Sequence, residues 1–156
     1  MSSYYRQKAL RAKQLFERGI PFVKVYAPVR NGDKFIVLEK EREGKIFYDI
    51  AGGGVDEGET LEKALLRELK EELNVKVKII KELGVYDKMY REWELDGEKF
   101  NIQYEIHVFD TVLVKKKRGK IGLKGEFSGK TKVAEIDKET LLSSVAEFRD
   151  FGIRID

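Results

Sequence analysis

Leu61, Leu65, Leu69 and Leu73 recur at every fourth position. An α-helix gathers that spacing onto one face. The stretch from Thr60 to Leu73 is therefore predicted to be a helix whose apolar face, with Leu66 included, must be covered by other apolar surface. At about 100° per residue, Glu68 lies within roughly 20° of Leu61 and Glu72 falls between Leu61 and Leu65. Glu71 comes next, beside Ala64. An ordinary surface helix puts its carboxylates opposite its leucines, whereas this one puts two beside or within them. Glu68, Glu71 and Glu72 are spaced i, i+3, i+4, where like charges repel. They also occupy the C-terminal half of the helix, where the macrodipole disfavours anions. A bound divalent cation accounts for such an arrangement, because it offsets the repulsion and takes carboxylate oxygens as ligands. The helix alone leaves open a second account, a Glu- and Lys-rich surface helix with solvated charges.

The surrounding segments alternate between strand and helix patterns. Phe22 to Val29 and Lys34 to Glu39 read as strands, with Asn31-Gly32-Asp33 between them as a hairpin turn. Lys45 to Ile50, Val75 to Ile80 and Lys132 to Ile136 are further short strands. Val85 to Glu94 and Phe100 to Val114 are predicted to pair through the turn at Asp96-Gly97. Tyr4 to Arg18 is predicted to be an amphipathic helix ended near Gly19, and Asp137 can cap a closing helix from about Lys138 to Phe148. Irregular interleaving of this kind points to an α/β fold, a mixed sheet with helices on both faces, formed by one domain over residues 1–156.

Composition narrows the chemistry. With no cysteine, thiolate nucleophiles, disulfides and sulfur-based zinc sites are excluded. With His107 as the single histidine, a His-rich metal site is disfavoured, and His107 itself reads as structural in a strand-like run. Metal chemistry must then rest on carboxylate oxygen, which suits magnesium or manganese. Thirty-one basic against 28 acidic residues leave a net charge of +3, too balanced to argue for a nucleic-acid surface. The basic run Lys115 to Arg118, with Lys120 and Lys124, reads as a solvated loop tip. No apolar run approaches a membrane span, and the charged N-terminus lacks the core of a signal peptide, so a soluble, cytoplasmic protein is expected. Many Lys and Glu with few Asn and Gln resemble a thermophile's surface.

Gly52-Gly53-Gly54 precedes the helix and gives up side chains where the backbone must turn or approach a ligand closely. Gly53, five residues, Glu59, seven residues, then Arg67-Glu68-Leu69-Lys70-Glu71-Glu72-Leu73-Asn74-Val75 resembles the Nudix box. Every defined position matches except Asn74, which stands where the family has glycine. Asn74 falls just past the helix end, where a left-handed residue is wanted and Asn is the usual second choice. Ala51 stands where many members have proline.

The resemblance implies an α/β/α sandwich and hydrolysis of a nucleoside diphosphate linked to another group, with Mg2+ or Mn2+ as cofactor. It implies Glu71 and Glu72 as the principal metal ligands and Glu68 as a third ligand or the base that activates water. The Gly52 carbonyl is implied as a further ligand, with Arg67 and Glu59 orienting the carboxylates. Many members place another acidic residue in a later loop. Glu126 is the first candidate here, with Glu135 and Asp110 behind it. Tyr86, Tyr90, Trp93, Phe100 and Tyr104 crowd one region, where core or dimer packing competes with stacking on a base, and Arg91 is placed to reach a phosphate. The expected partner is a small-molecule nucleotide, with no membrane and no nucleic acid, and a homodimer is left open. Two rival readings stay open: a catalytically silent nucleotide-binding module, and a pyrophosphohydrolase acting on RNA 5′ ends. The candidate substrates are ADP-ribose or nucleotide sugars, dinucleoside polyphosphates and nucleoside triphosphates.

Overall fold

The computed structural model describes residues 2–116 and 131–156. Its elements are α1 (Ser3–Arg18), β1 (Phe22–Ala27), β2 (Val29–Asn31), β3 (Lys34–Arg42), β4 (Lys45–Asp49), β5 (Ala51–Gly54), α2 (Leu61–Leu73), β6 (Val75–Leu95), β7 (Glu98–Lys116), β8 (Lys132–Ile136), α3 (Lys138–Ser144) and α4 (Ala146–Arg149). The strands form one sheet in the order β4-β3-β2-β7-β1-β5, with β6 on β7 and β8 on β3. β7 runs parallel to β1 and β2, and the other pairings are antiparallel, so the sheet is mixed as expected.

Each face of the sheet is covered by helix. Ala64, Leu65, Leu69 and Leu73 of α2 pack on Val25, Ala27, Val29, Ile36, Leu38 and Phe109. Ala9, Ala12 and Leu15 of α1, together with Leu141, Val145 and Phe148, cover the other face. Burying each of the three inner leucines of α2 contributes about 1.5–3 kcal/mol. The chain thus forms the α/β/α arrangement that its pattern predicts.

Local chemistry sets most element ends. Ser2 caps α1 by accepting from the Tyr5 N–H at 3.1 Å, and Gly19 ends it in the left-handed conformation. The Thr60 hydroxyl caps α2 at the Lys63 N–H, and Asn74 closes it with φ 57° and ψ 44°. Asp96 and Gly97 both take positive φ, which makes the tight turn between β6 and β7.

Four sequence expectations are corrected. The strand expected over Phe22 to Val29 is split at Pro28, which has no N–H to give the sheet. Val75 to Ile80 and Val85 to Glu94 belong to one strand, β6, which four register shifts carry past its polar middle while β7 continues beside it. The closing helix breaks at Val145, whose extended backbone turns its fully buried side chain into the core. Leu66 is 42% exposed: the buried arc of α2 runs instead from Ala64 through Glu72, Leu65 and Leu69 to Leu73.

Candidate active site

β5 is an edge strand, paired with β1 so that Lys24 faces Gly54, Val25 faces Gly53 and Tyr26 faces Gly52. The glycines let α2 approach closely. A Cβ on Gly52 would lie 1.9 Å from the Val25 carbonyl oxygen, and one on Gly53 would lie 2.6 Å from the Glu68 carboxylate. Glu68 thus packs directly over the Gly53 backbone. Glu72, only 9% exposed, accepts the Gly52 N–H at 3.1 Å.

Arg67 ties this region together. Its guanidinium donates to both Glu59 oxygens at 2.8 and 2.9 Å, to the Gly54 carbonyl at 3.0 Å, to Glu68 at 3.0 Å and to Glu71 at 3.4 Å. The same contact holds the Glu59 carboxyl down at about 2 and raises the Arg67 guanidinium. Glu59 also accepts the Asp56 N–H at 2.9 Å, so the loop between β5 and α2 is braced onto the helix. Burial raises the Glu68 carboxyl, against the lowering effect of Arg67. A carboxylate that burial makes costly to ionise and that a neighbouring Glu71 raises further suits a nearby cation.

Among the described residues, no three acidic or histidine side chains already converge as a closed metal cage. The donors nonetheless fit a hard divalent ion: Glu68, Glu71 and Glu72 offer only carboxylate oxygen, and the first and last are poorly hydrated. Glu71 is more exposed and free to swing.

Glu68, Glu71 and Glu72 line a cleft of about 1460 Å³. Its other walls come from α1, β1, β3, β4, β5, β6, β7 and α4. Several of its charged residues escaped sequence reasoning, Lys24 and Glu147 among them, since no local pattern marks them. Lys24 on β1 is 8% exposed. Its ammonium is lowered to about 8 by burial first and then by Lys8, with Arg91 adding to this and Glu68 opposing it. Glu147 on α4 is pushed up to about 7, by burial first and by Asp49 second, with Lys40 and Arg149 opposing.

Glu147 carries a pH prediction. Its value in the folded chain exceeds the ordinary 4.5. Between those two pH values the folded state keeps a proton that the unfolded state has released. Stability is therefore expected to fall as pH rises from about 4.5 to about 7 and then to level off. Thermal melts of Glu147→Gln should show that fall flattened. An unchanged slope would remove Glu147 as its source.

The remaining candidates are dispersed. Glu126 lies outside the described residues, as does the basic run beyond the backbone of Lys115 and Lys116. Asp110 is buried in an ion pair with Arg30 at 2.7 Å, and Glu135 accepts from Asn31 at 2.9 Å. Neither lines the cleft. His107 bridges Glu82 at 2.6 Å and Glu105 at 2.7 Å. Burial lowers its imidazole, but the two carboxylates outweigh that and raise it. Of the aromatic group, Phe100 packs on Phe16, Trp93 on Tyr5 and Tyr86 on Phe151, while Tyr90 is 65% exposed. Tyr104 alone of that group lines the cleft, together with Arg91.

The sequence is 40% identical over 68 residues to YtkD of Bacillus subtilis, named provisionally as an 8-oxo-dGTP diphosphatase; the match spans 44% of this chain and 41% of YtkD. It is 41% identical over 69 residues to an RNA pyrophosphohydrolase of Pelagibacter ubique, spanning 38% of this chain and 44% of that protein. Each match therefore covers less than half of the relative's length. The crystal structure of a MutT protein from Methanosarcina mazei shares the fold at 24% identity, with a TM-score of 0.54 over 84% of this chain and 90% of that one. The family model for the NUDIX domain matches residues 21–146. With the box residues gathered on one cleft wall and the family model matching most of its length, the chain belongs to the NUDIX family.

Proposed function

We propose that this chain is a divalent-metal-dependent hydrolase that cuts a phosphoanhydride of a nucleoside diphosphate linked to another group. The observation that carries the reading is the intact set Arg67, Glu68, Glu71 and Glu72 on one wall of an open cleft, with Glu59 bonded to Arg67 behind it. A catalytically silent module has no need of three carboxylates whose mutual repulsion costs stability.

Mg2+ or Mn2+ held by Glu68, Glu71 and Glu72, with the Gly52 carbonyl as a further donor, would neutralise phosphate oxygens in the transition state. The protein's own part is positioning. Arg67 fixes the direction of Glu68 and leaves Glu72 to its hydrogen bond with the Gly52 N–H. Glu59 fixes Arg67 in turn. Glu68 carries the feature a general base needs, a carboxyl raised by burial beside the reaction site. Glu126 remains a proposed second base from outside the box.

The test is a hydrolysis screen in Mg2+, in Mn2+ and in chelator. It covers ADP-ribose, nucleotide sugars, dinucleoside polyphosphates, nucleoside triphosphates including 8-oxo-dGTP, and 5′-triphosphorylated RNA. Metal-dependent release of a monophosphate product from one class supports the reading and names the class. Binding of nucleotides with no turnover in any metal would leave a binding module instead.

A further inference from the structure

The cleft also gathers basic side chains, among them Lys8, Lys24 and Arg91. Lys24 lies on its floor, with Nζ 4.7 Å from the centre of the Phe22 ring and 5.5 Å from that of Tyr104. The Tyr104 hydroxyl takes a hydrogen bond from the Trp93 indole at 3.1 Å and another from Arg91. One aromatic residue thus orients two cations from separate strands. Lys8 enters from α1, its ammonium 4.5 Å from the Tyr4 ring centre. Burial first, and then Lys8 and Arg91, disfavour the charged form of Lys24, against the opposing pull of Glu68 and Glu72.

α1 precedes the segment that the family model matches, residues 21–146, yet it is fixed as a wall. Ala9, Ala12 and Leu15 are buried against the sheet. Tyr5 packs on Trp93 and Phe16 on Phe100, with ring centres 5.4 and 5.3 Å apart. Arg6 pairs with Asp96 at 2.6 Å and Lys13 with Glu98 at 2.9 Å. Exposed pairs of that kind stabilise little, but they set the register of α1 on the β6–β7 hairpin.

Lys24 is nearly buried and forgoes hydration, and Lys8 and Arg91, from two other elements, repel it. An anion with several oxygens relieves both costs. An uncharged sugar relieves neither. We propose that Lys8, Lys24 and Arg91 hold a phosphoryl group beyond the diphosphate, one that a nucleotide sugar lacks, so that the chain prefers nucleoside tri- or polyphosphates to a nucleotide joined to an uncharged sugar. This rests on the hydrolase reading above for its kinetic part only.

The test uses the full chain with Lys8→Ala and Lys24→Met. The first lies on a surface helix and the second keeps the length of the buried side chain, and melting curves check that both fold. Binding of inorganic tripolyphosphate, measured by calorimetry in chelator, is expected to weaken about tenfold in each variant. In kinetics with metal, the ratio of kcat/KM for nucleoside triphosphates to that for ADP-ribose is expected to fall about tenfold. Unchanged tripolyphosphate binding in both folded variants overturns the proposal. So does an equal loss on both substrates, because the cations would then serve a phosphate common to them. If the wild type turns over none of the substrate classes in the screen above, the hydrolase reading falls, while weakened tripolyphosphate binding in the variants still upholds the anion site.

Discussion

Glu72→Gln is expected to lower metal-dependent turnover by about 10²–10³-fold while leaving the melting temperature in chelator within a few degrees of the wild type. The two expectations separate because of what Glu72 does in the fold. Its carboxylate accepts the Gly52 N–H inside the buried arc of α2. The glutamine amide has the same shape, and its carbonyl oxygen can take the same hydrogen bond. What disappears is the negative charge in a poorly hydrated position. Folding loses little, since a buried charge is costly to keep, whereas cation binding loses a principal ligand. Initial rates at saturating metal, read beside a thermal melt, measure both. A variant that retains a tenth or more of wild-type activity would show that Glu72 is not among the ligands.

The glycine run supplies the second large effect, as a contrast between neighbours. Gly52→Ala is expected to cost about 3 kcal/mol or more and to lower the melting temperature by roughly 10 °C. The new Cβ would meet the Val25 carbonyl at 1.9 Å and the Tyr26 Cα at 2.7 Å, both backbone of the paired strand β1. Backbone held in a sheet cannot give way without breaking the ladder between β1 and β5. For Gly53→Ala the three nearest atoms are all of the Glu68 carboxylate, each at 2.6 Å. A side-chain end can swing aside, so this variant is expected to fold. It would fold with Glu68 displaced from its place beside Arg67, and turnover should fall about tenfold or more. Thermal melts and rates on both variants decide it. Equal stability of the two would contradict the close approach at Gly52, and full activity of Gly53→Ala would remove Glu68 from the reacting centre.

How far the sequence could be read depends on the range of the forces involved. The helix α2, its Thr60 cap and its left-handed end at Asn74 follow from spacing and torsional preference within a few residues. The turns at Gly32 and at Asp96-Gly97 follow in the same way. The placement of Glu72 within the apolar face was legible for the same reason, because 3.6 residues per turn fixes angles whatever packs against them. The exposure of Leu66 was not, because the sheet decides which arc of the helix it covers. Nor was the unity of β6, whose polar middle carries no strand pattern of its own and is held by its ladder to β7.

The sequence by itself determined the wall proposed to carry the reaction. Glu59, Arg67, Glu68, Glu71 and Glu72 lie within fourteen consecutive positions, on a loop and helix whose geometry is local. Only the tertiary structure decided the facing wall. Lys8, Lys24, Arg91, Tyr104 and Glu147 come from α1, β1, β6, β7 and α4. The parallel pairing of Phe22 with Tyr104 and of Lys24 with Ile106 brings two of those elements together across most of the chain. Their charges acquire meaning only through that neighbourhood. Burial lowers one ammonium and raises one carboxyl. Burial is a property of the assembled sheet and helices, and no stretch of sequence carries it alone.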